Sequence, residues 1–368
     1  MTDTPQLEIL GLISTQHASE THAAPSPWID KAYLAAHAKA HEYAGFDRVL
    51  IGYNSAAPDG FQVAAYAAAQ TEKLKFLLAH RPGFTAPTLA ARQLATLDQL
   101  SDGRLAVHII TGGSDEEQQR DGDFLTKEER YARADDYITV LKKAWTSDAP
   151  FDHEGPHYRV KGAPAAIKSR HQKPHIPVFF GGASDEAVEV AGRQADVYAL
   201  FGETLEQAAE IVSRVRAAAA RNGRTIEFSM SLRPILGRTE EAAWARAEQI
   251  LEDAKALKAS GAGRPTRYAT ARGGQRLLEA ADGGKVRDKR LWTEIAALTG
   301  AQGNSTSLVG TPEQVVDSLL DYYDLGITKF LFRGFDPLED ALEYGRELLP
   351  ELRAAVAARG APKILAAE

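Results

Sequence analysis

At 368 residues, 44% hydrophobic and 25% charged, the chain has the composition of a globular enzyme whose core is large enough to need no covalent staples. It has no cysteine, which excludes disulfides, thiolate metal sites and a cysteine nucleophile. A formal net charge of −7 argues against nucleic-acid or anionic-membrane binding, but not against a small anion held by a few arginines in a cleft.

The chain begins MTDTPQLEIL, with no basic segment leading into an apolar run, so no secretory signal is expected. No stretch reaches the roughly 18 apolar residues of a membrane span, and a cytoplasmic protein is expected. From there, short β-rich runs alternate with longer helical patterns. Strands are expected at 7–13, 47–53, 74–80, 105–111, 177–181, 196–201, 227–235 and 329–335. Helices are expected to follow them at 28–43, 61–71, 87–100, 127–145, 184–193, 204–221, 239–257 and 338–357. Strands that each lead into a helix imply parallel neighbours joined by crossovers. The fold expected is a single (β/α)8 TIM barrel over 1–368, with its active site at the C-terminal ends of the strands. End signals agree: Asp30 or Ser26 can cap the first helix and Gly45 can close it. Ser184-Asp185-Glu186 opens another helix, and Thr311-Pro312-Glu313 opens an extra one before the last strand.

Four segments depart from the alternation. Residues 14–26 form a polar loop, and GGSDEEQQRDGDFLT (112–126) forms a long acidic one. Within 148–176, FDHEGPHYRV has the pattern of a small hairpin. The largest is the insertion at 259–310, rich in Gly, Arg, Ser and Thr. A long segment without regular structure in a compact enzyme is usually a lid or binding loop.

Polar residues at the strand ends are the first candidates for chemistry: Ser14, Thr15, His17, Tyr53, Asn54, His80, Arg81, His108, Thr111, Ser231, Arg233 and Arg333. The turn Gly181-Gly182-Ala183-Ser184 leads a strand into a helix. Its glycines let backbone amides approach a phosphate, although a plain βα turn with a serine cap has the same sequence. Arg233 and Arg333 lie in apolar strand segments and suit bidentate recognition of a sulfonate, phosphate or carboxylate. The alternative is that each pairs with a nearby acid such as Asp336. None of the 10 histidines has metal-ligand spacing, and no metal is expected. His37 and His41, one helical turn apart, are expected on a solvated face, whereas His108 can point into the barrel mouth as a catalytic residue or sit as a hydrogen-bonded core histidine. Nucleotide fingerprints, a nucleophile elbow and a triad are all absent, which suggests that a cofactor carries the chemistry.

Residues 74–137, 177–203, 272–278 and 307–350 carry a specific combination of motifs. These are PTLAARQLATLDQLSDGR, ERY and FGGASD. In them the chain resembles the flavin-dependent luciferase-like monooxygenases, and within those the alkanesulfonate monooxygenases. The resemblance implies a two-component enzyme that takes FMNH2 from a separate NAD(P)H-dependent reductase and uses O2 to desulfonate an organosulfonate, releasing sulfite and an aldehyde. It also implies that Tyr131, Ser184, Gly181 and Gly182 contact the flavin phosphate, that His108 and Thr111 lie along the flavin ring, and that 259–310 is a mobile lid. A homodimer or homotetramer is the family habit, with the N-terminal extension and the tail after Pro350 contributing to subunit packing.

The chain departs from the sulfonate enzymes around the substrate. Ala57 replaces their cysteine, Phe201 a tryptophan, Ser231-Leu232-Arg233 an Arg-x-His, and Phe335 a tyrosine, while their lid arginine falls near Ala301. A flavin site kept beside a rewritten pocket suggests a hydroxylated sulfonate such as sulfoquinovose, held by Arg233 and Arg333 with polar Ser14, Gln16, His17, Asn54 and Ser231 nearby. Other readings are a luciferase-like monooxygenase acting on a sulfone, alkane or amine, a barrel that binds flavin or sulfonate without catalysis, and a deazaflavin-dependent hydride-transfer enzyme.

Overall fold

The computed structural model describes residues 7–169, 171–263, 269–301 and 303–362. The strands are β1 (Glu8–Ile13), β2 (Arg48–Ile51), β3 (Lys75–His80), β4 (Leu105–Ile109), β5 (Phe151–Glu154), β6 (Arg159–Ala163), β7 (Val178–Gly181), β8 (Val197–Phe201), β9 (Glu227–Leu236), β10 (Val286–Arg287), β11 (Leu291–Trp292), β12 (Ser307–Gly310) and β13 (Ile327–Phe332). The helices are α1 (Lys31–Ala44), α2 (Gly60–Ala68), α3 (Pro87–Leu100), α4 (Asp115–Gln119), α5 (Lys127–Thr146), α6 (Asp185–Gln194), α7 (Leu205–Arg221), α8 (Glu240–Ala259), α9 (Arg272–Asp282), α10 (Glu294–Thr299), α11 (Pro312–Asp324), α12 (Pro337–Glu343) and α13 (Leu349–Arg359).

The main sheet runs β9-β13-β1-β2-β3-β4-β7-β8, and β8 also pairs with β9. The expected (β/α)8 barrel is therefore the observed fold, an eight-stranded parallel ring with helices between its strands. Parallel strands of this kind are covered on both faces, so they lack polar alternation; all six residues of β13 are buried. The caps work as the local sequence implies. Asp30 accepts from the Tyr33 N–H at 2.9 Å, Gly45 closes α1 at φ +85°, and Thr311 and Gln314 form a reciprocal capping box on α11. The hairpin is present as β5-β6.

By contact density the chain divides into two compact units. One comprises Met1–Val49, Ala199–Arg214 and Glu227–Glu368; the other comprises Leu50–Tyr198 and Val215–Ile226. In the first unit, charged residues, among them the buried Arg48 and Lys329, gather near strand beginnings. Glu8 binds Arg48 at 2.9 Å and Lys329 at 3.1 Å, and Lys329 reaches Glu227 at 3.3 Å. At this end of a barrel such a network serves stability.

The structure corrects four expectations. The insertion is not structureless: β12 adds to β9 in parallel, and Trp292, Ile295 and Val309 share a core with Ile235, Ala243 and Phe335. Residues 264–268 and 302 of the insertion lie outside the described residues, as do 1–6 of the N-terminal extension and 363–368 of the tail. The acidic loop contains α4, capped by the Ser114 hydroxyl. The final helix is two helices, α12 and α13, separated by a π-helical turn at Tyr344–Leu348, just before Pro350 denies the ladder a donor.

The fourth correction concerns His37 and His41, which are buried rather than solvated. His41 packs across Gly11 of β1, where a Cβ would stand 2.2 Å from the imidazole, so a glycine there makes room for the ring. His37 takes a hydrogen bond from the Ser14 N–H at 3.3 Å, and its other ring nitrogen meets the Pro337 carbonyl at 3.2 Å.

Candidate active site

In the second unit, β7 ends at Gly181, and the chain turns through Gly182 and Ala183 into α6. Ser184 caps α6 by accepting from the Ala187 N–H at 3.4 Å. Gly182 adopts φ +126°, and a Cβ there would lie 2.6 Å from the Tyr131 hydroxyl and 2.8 Å from the Ala187 Cβ. The position therefore requires glycine on both conformational and steric grounds. Tyr131, buried on α5, hydrogen-bonds to Thr111 and Ser184. Burial pushes its phenol up despite those bonds, so the hydroxyl stays protonated and able to donate. Thr111, Tyr131, Gly182 and Ser184 thus converge, which brings Thr111, expected along the flavin ring, beside the glycine turn.

The neighbouring Arg130 was not singled out from the sequence, although it lies inside the ERY motif. Fully buried, it donates to the Thr111 carbonyl at 2.9 Å, the Leu125 carbonyl at 2.6 Å and the Asp115 carboxylate at 2.8 Å. It therefore fixes the loop that carries Thr111. The turn is a cradle of neutral donors at a helix N-terminus and fits the phosphate of a flavin mononucleotide. Asp185 and Glu186 in the first turn of α6 weaken the positive end of that helix.

His108 lies near the end of β4, partly accessible, with no hydrogen-bond partner among the described residues. Burial lowers its pKa to about 4, so the ring is neutral near pH 7 and can accept one hydrogen bond while donating another. The other strand-end candidates in this unit are committed elsewhere. His80 is hydrogen-bonded to the Tyr137 hydroxyl at 2.7 Å. Arg81 is buried against Glu117 at 2.9 Å and Asp121 at 3.5 Å, 4.6 Å above the Tyr53 ring. The acidic loop thereby neutralises a buried arginine.

In the first unit, Arg233 lies on β9 and Arg333 follows the last residue of β13. One carboxylate, that of Glu20 in the loop after β1, meets both. It lies 2.9 Å from Arg233 and 3.4 Å from Arg333. Arg233 is wholly buried, its guanidinium carbon 3.5 Å from the centroid of the Phe335 ring, and it also donates to the Gly334 carbonyl at 2.9 Å. Its Nε and Nη1 have no partner among the described residues. Burial opposes ionisation of Glu20, but Arg233 and Arg333 outweigh it and hold the carboxyl well below its usual range.

The two arginines therefore do come together, but their acidic partner is Glu20 and not Asp336, which pairs with His17 at 3.2 Å. Glu20 is the lone acid in 14–26, and no spacing rule joins it to β9 or β13. His17, His22 and Asp336 also bring potential ligand atoms within 4.8 Å of one another, although no sequence spacing implied a metal. The excess positive charge of the adjoining Glu20–Arg233–Arg333 cluster disfavours a divalent cation there. Phe335, Phe201 and Ala301 pack in hydrophobic clusters. Phe335 lies under Arg233, and Phe201 packs with Leu277, Ala296 and Ala301.

Among the described residues no helix is long and apolar enough to cross a membrane. Residues 7–329 match the sequence profile of the family described as luciferase-like monooxygenase. Among solved structures the chain is similar to riboflavin lyase RcaE with modified FMN and riboflavin (TM-score 0.76, 22% identity, covering 98% of this chain and 94% of that one). It is also similar to EDTA monooxygenase EmoA from Chelativorans sp. BNC1 (TM-score 0.73, 20% identity, 95% and 94% covered). A third similar structure is DmoA from Hyphomicrobium sulfonivorans (TM-score 0.74, 24% identity, 96% and 89% covered).

Proposed function

The chain belongs to the luciferase-like monooxygenase family, and from that premise we propose that it is an FMNH2-dependent monooxygenase that desulfonates a hydroxylated organosulfonate such as sulfoquinovose. The observation that carries the substrate class is Arg233, a wholly buried guanidinium with two unpartnered N–H groups beside a second arginine. Retaining such a group costs stability, and a planar fork of donors matches the oxygens of a sulfonate.

Bound FMNH2 would supply the electrons that let one oxygen atom enter the aldehyde product and the other leave as water, as the carbon–sulfur bond breaks and sulfite departs. The residues divide the remaining work. Tyr131, Thr111, Ser184 and the Gly181-Gly182 turn hold the flavin phosphate, and Arg130 keeps the Thr111 loop in place. His108, neutral and partly accessible, is placed to exchange a hydrogen bond with flavin or substrate. Arg233 and Arg333 hold the sulfonate and stabilise the negative charge that leaves with sulfite. A separate NAD(P)H-dependent reductase supplies the flavin, and the chain works as a homodimer or homotetramer in the cytoplasm.

The test is sulfite release from a sulfonate panel with O2 and FMNH2, run with and without a reductase. Sulfite from sulfoquinovose is expected. Sulfite from octanesulfonate with none from sulfoquinovose refutes the hydroxylated substrate, and none from any sulfonate refutes desulfonation. Because Glu20 already neutralises one of the two arginine charges, a luciferase-like monooxygenase acting on an uncharged substrate is the second reading. It expects Arg233→Met to leave turnover unchanged.

A further inference from the structure

The Glu20 carboxylate sits where a substrate anion would be held, and the fit is incomplete. Two guanidinium groups share a single negative charge, leaving the cluster at +1. Both contacts to Arg333 are long, at 3.4 Å. Arg233 keeps Nε and Nη1 unpartnered although the side chain is wholly buried, a costly arrangement for a group whose only task is structural. A carboxylate has two oxygens; a sulfonate has three and can take donors that Glu20 leaves open.

The two sides of the contact also differ in freedom. Arg233 is locked on β9 between Phe335 and the Gly334 carbonyl. Glu20 belongs to a partly exposed loop without regular structure, and its own side chain is 21% accessible. Beyond Glu20, few bonds among the described residues tie that loop to the rest of its unit, one being the Ser14 N–H bond to His37 at 3.3 Å. The Thr21 hydroxyl donates to the Phe335 carbonyl at 3.2 Å, His17 meets Asp336 at 3.2 Å, and the Asp30 N–H donates to the Thr15 carbonyl at 2.9 Å.

We infer that Glu20 is an internal surrogate for the substrate anion: it latches the 14–26 loop onto Arg233 and Arg333, and a sulfonate binds by displacing it and releasing that loop. The inference rests on the sulfonate reading above and adds a specificity device to it. Any ligand must outbid an intramolecular carboxylate, so single-carboxylate metabolites are rejected and a three-oxygen anion is favoured. Protonation does not open the latch in the ordinary pH range, because the arginines keep Glu20 ionised against the opposing effect of burial. Release therefore needs a competing anion.

The test uses methanesulfonate, with acetate as the carboxylate control, titrated calorimetrically into wild type, Glu20→Gln and Arg233→Met. Glu20→Gln is expected to bind methanesulfonate at least about 10-fold more tightly than wild type, and Arg233→Met to lose binding. In wild type, amide hydrogen exchange over 14–26 is expected to quicken at saturating methanesulfonate and to stay unchanged with acetate. If Glu20→Gln does not fold, the exchange measurement on wild type decides alone. Equal affinities in wild type and Glu20→Gln, or unchanged exchange over 14–26 in wild type saturated with methanesulfonate, overturn the latch and leave the sulfonate reading standing. No binding to either protein overturns both.

Discussion

Substituting Gly182 by alanine perturbs the proposed phosphate cradle at its tightest point. A side chain at φ +126° is strained by about 1–3 kcal/mol. The new methyl would also stand 2.6 Å from the Tyr131 hydroxyl and 2.8 Å from the Ala187 Cβ, an overpacking worth about 1–3 kcal/mol. Tyr131 cannot yield cheaply, because it is buried and hydrogen-bonded to Thr111 and Ser184. The summed loss is about 2–6 kcal/mol. With an unfolding entropy of about 2.1 cal/mol/K per residue over 368 residues, the Tm falls by roughly 3–8 °C. A displaced Tyr131 also forfeits a hydrogen bond to the phosphate, which weakens FMN binding by about 10–100-fold.

Differential scanning calorimetry and flavin fluorescence titration measure the two effects. Gly113→Ala, where an added Cβ meets nothing within 4 Å, is the neutral control. Adding Tyr131→Phe to Gly182→Ala removes the atom that the methyl strikes. It is expected to recover about 1 kcal/mol of stability without restoring FMN affinity. A Gly182→Ala protein with wild-type Tm and wild-type FMN affinity refutes the steric and phosphate assignments together.

The buried histidines predict an acid limit above the usual carboxylate range. Burial lowers His41 and His80 to about 4 and His37 well below its usual value, so between about pH 6.5 and 4 the unfolded chain binds protons that the folded one does not. Their full contribution is present above about pH 6.5 and is lost as pH falls. At up to about 1.4 kcal/mol per histidine per pH unit, some 3–4 kcal/mol disappears between pH 5.5 and 4.5. A Tm that is the same at those two pH values contradicts this.

Arg276 pins α9 of the insertion through Glu203 at 2.8 Å, Glu210 and the Gln207 carbonyl at 2.7 Å. Burial pushes Glu203 up to about 7 against the pull of Arg276, so Arg276→Met removes that pull, raises the carboxyl further and leaves it protonated at neutral pH. Amide exchange over 272–282 is expected to rise at least about 10-fold, while β13 stays protected. Unchanged exchange in α9 means that the arginine does not anchor the insertion.

The parts legible in the sequence are those whose determinants lie within a few residues of one another. Strand–helix alternation, the Asp30, Ser184 and Thr311 caps, the Gly45 termination and the hairpin are set by local hydrogen bonds and backbone preference, and all stand as expected. The turn proposed to hold the phosphate was legible for the same reason, because the double glycine and the capping serine are contiguous, whereas Tyr131 entered only through the family resemblance. The pairing of Arg233 with Arg333 was legible only as far as adjacent parallel strands bring their ends together.

Only the tertiary structure decided what those arginines face. Glu20 comes from a loop without periodicity, and the choice between Glu20 and Asp336 as partner depends on how that loop folds back, which local pattern does not encode. The same holds for His37 and His41. Their helical spacing gives a shared face but not whether that face meets solvent or β1, where Gly11 leaves room for a ring. It holds too for the insertion, which joins the barrel sheet through the pairing of β12 with β9, a contact between segments far apart in sequence. Amino-acid order therefore determined the barrel and the turn that suits a flavin phosphate, because those rest on near-neighbour interactions. The charge balance at Arg233, on which the proposed anion site rests, arises from groups distant in the chain and was decided by the folded structure alone.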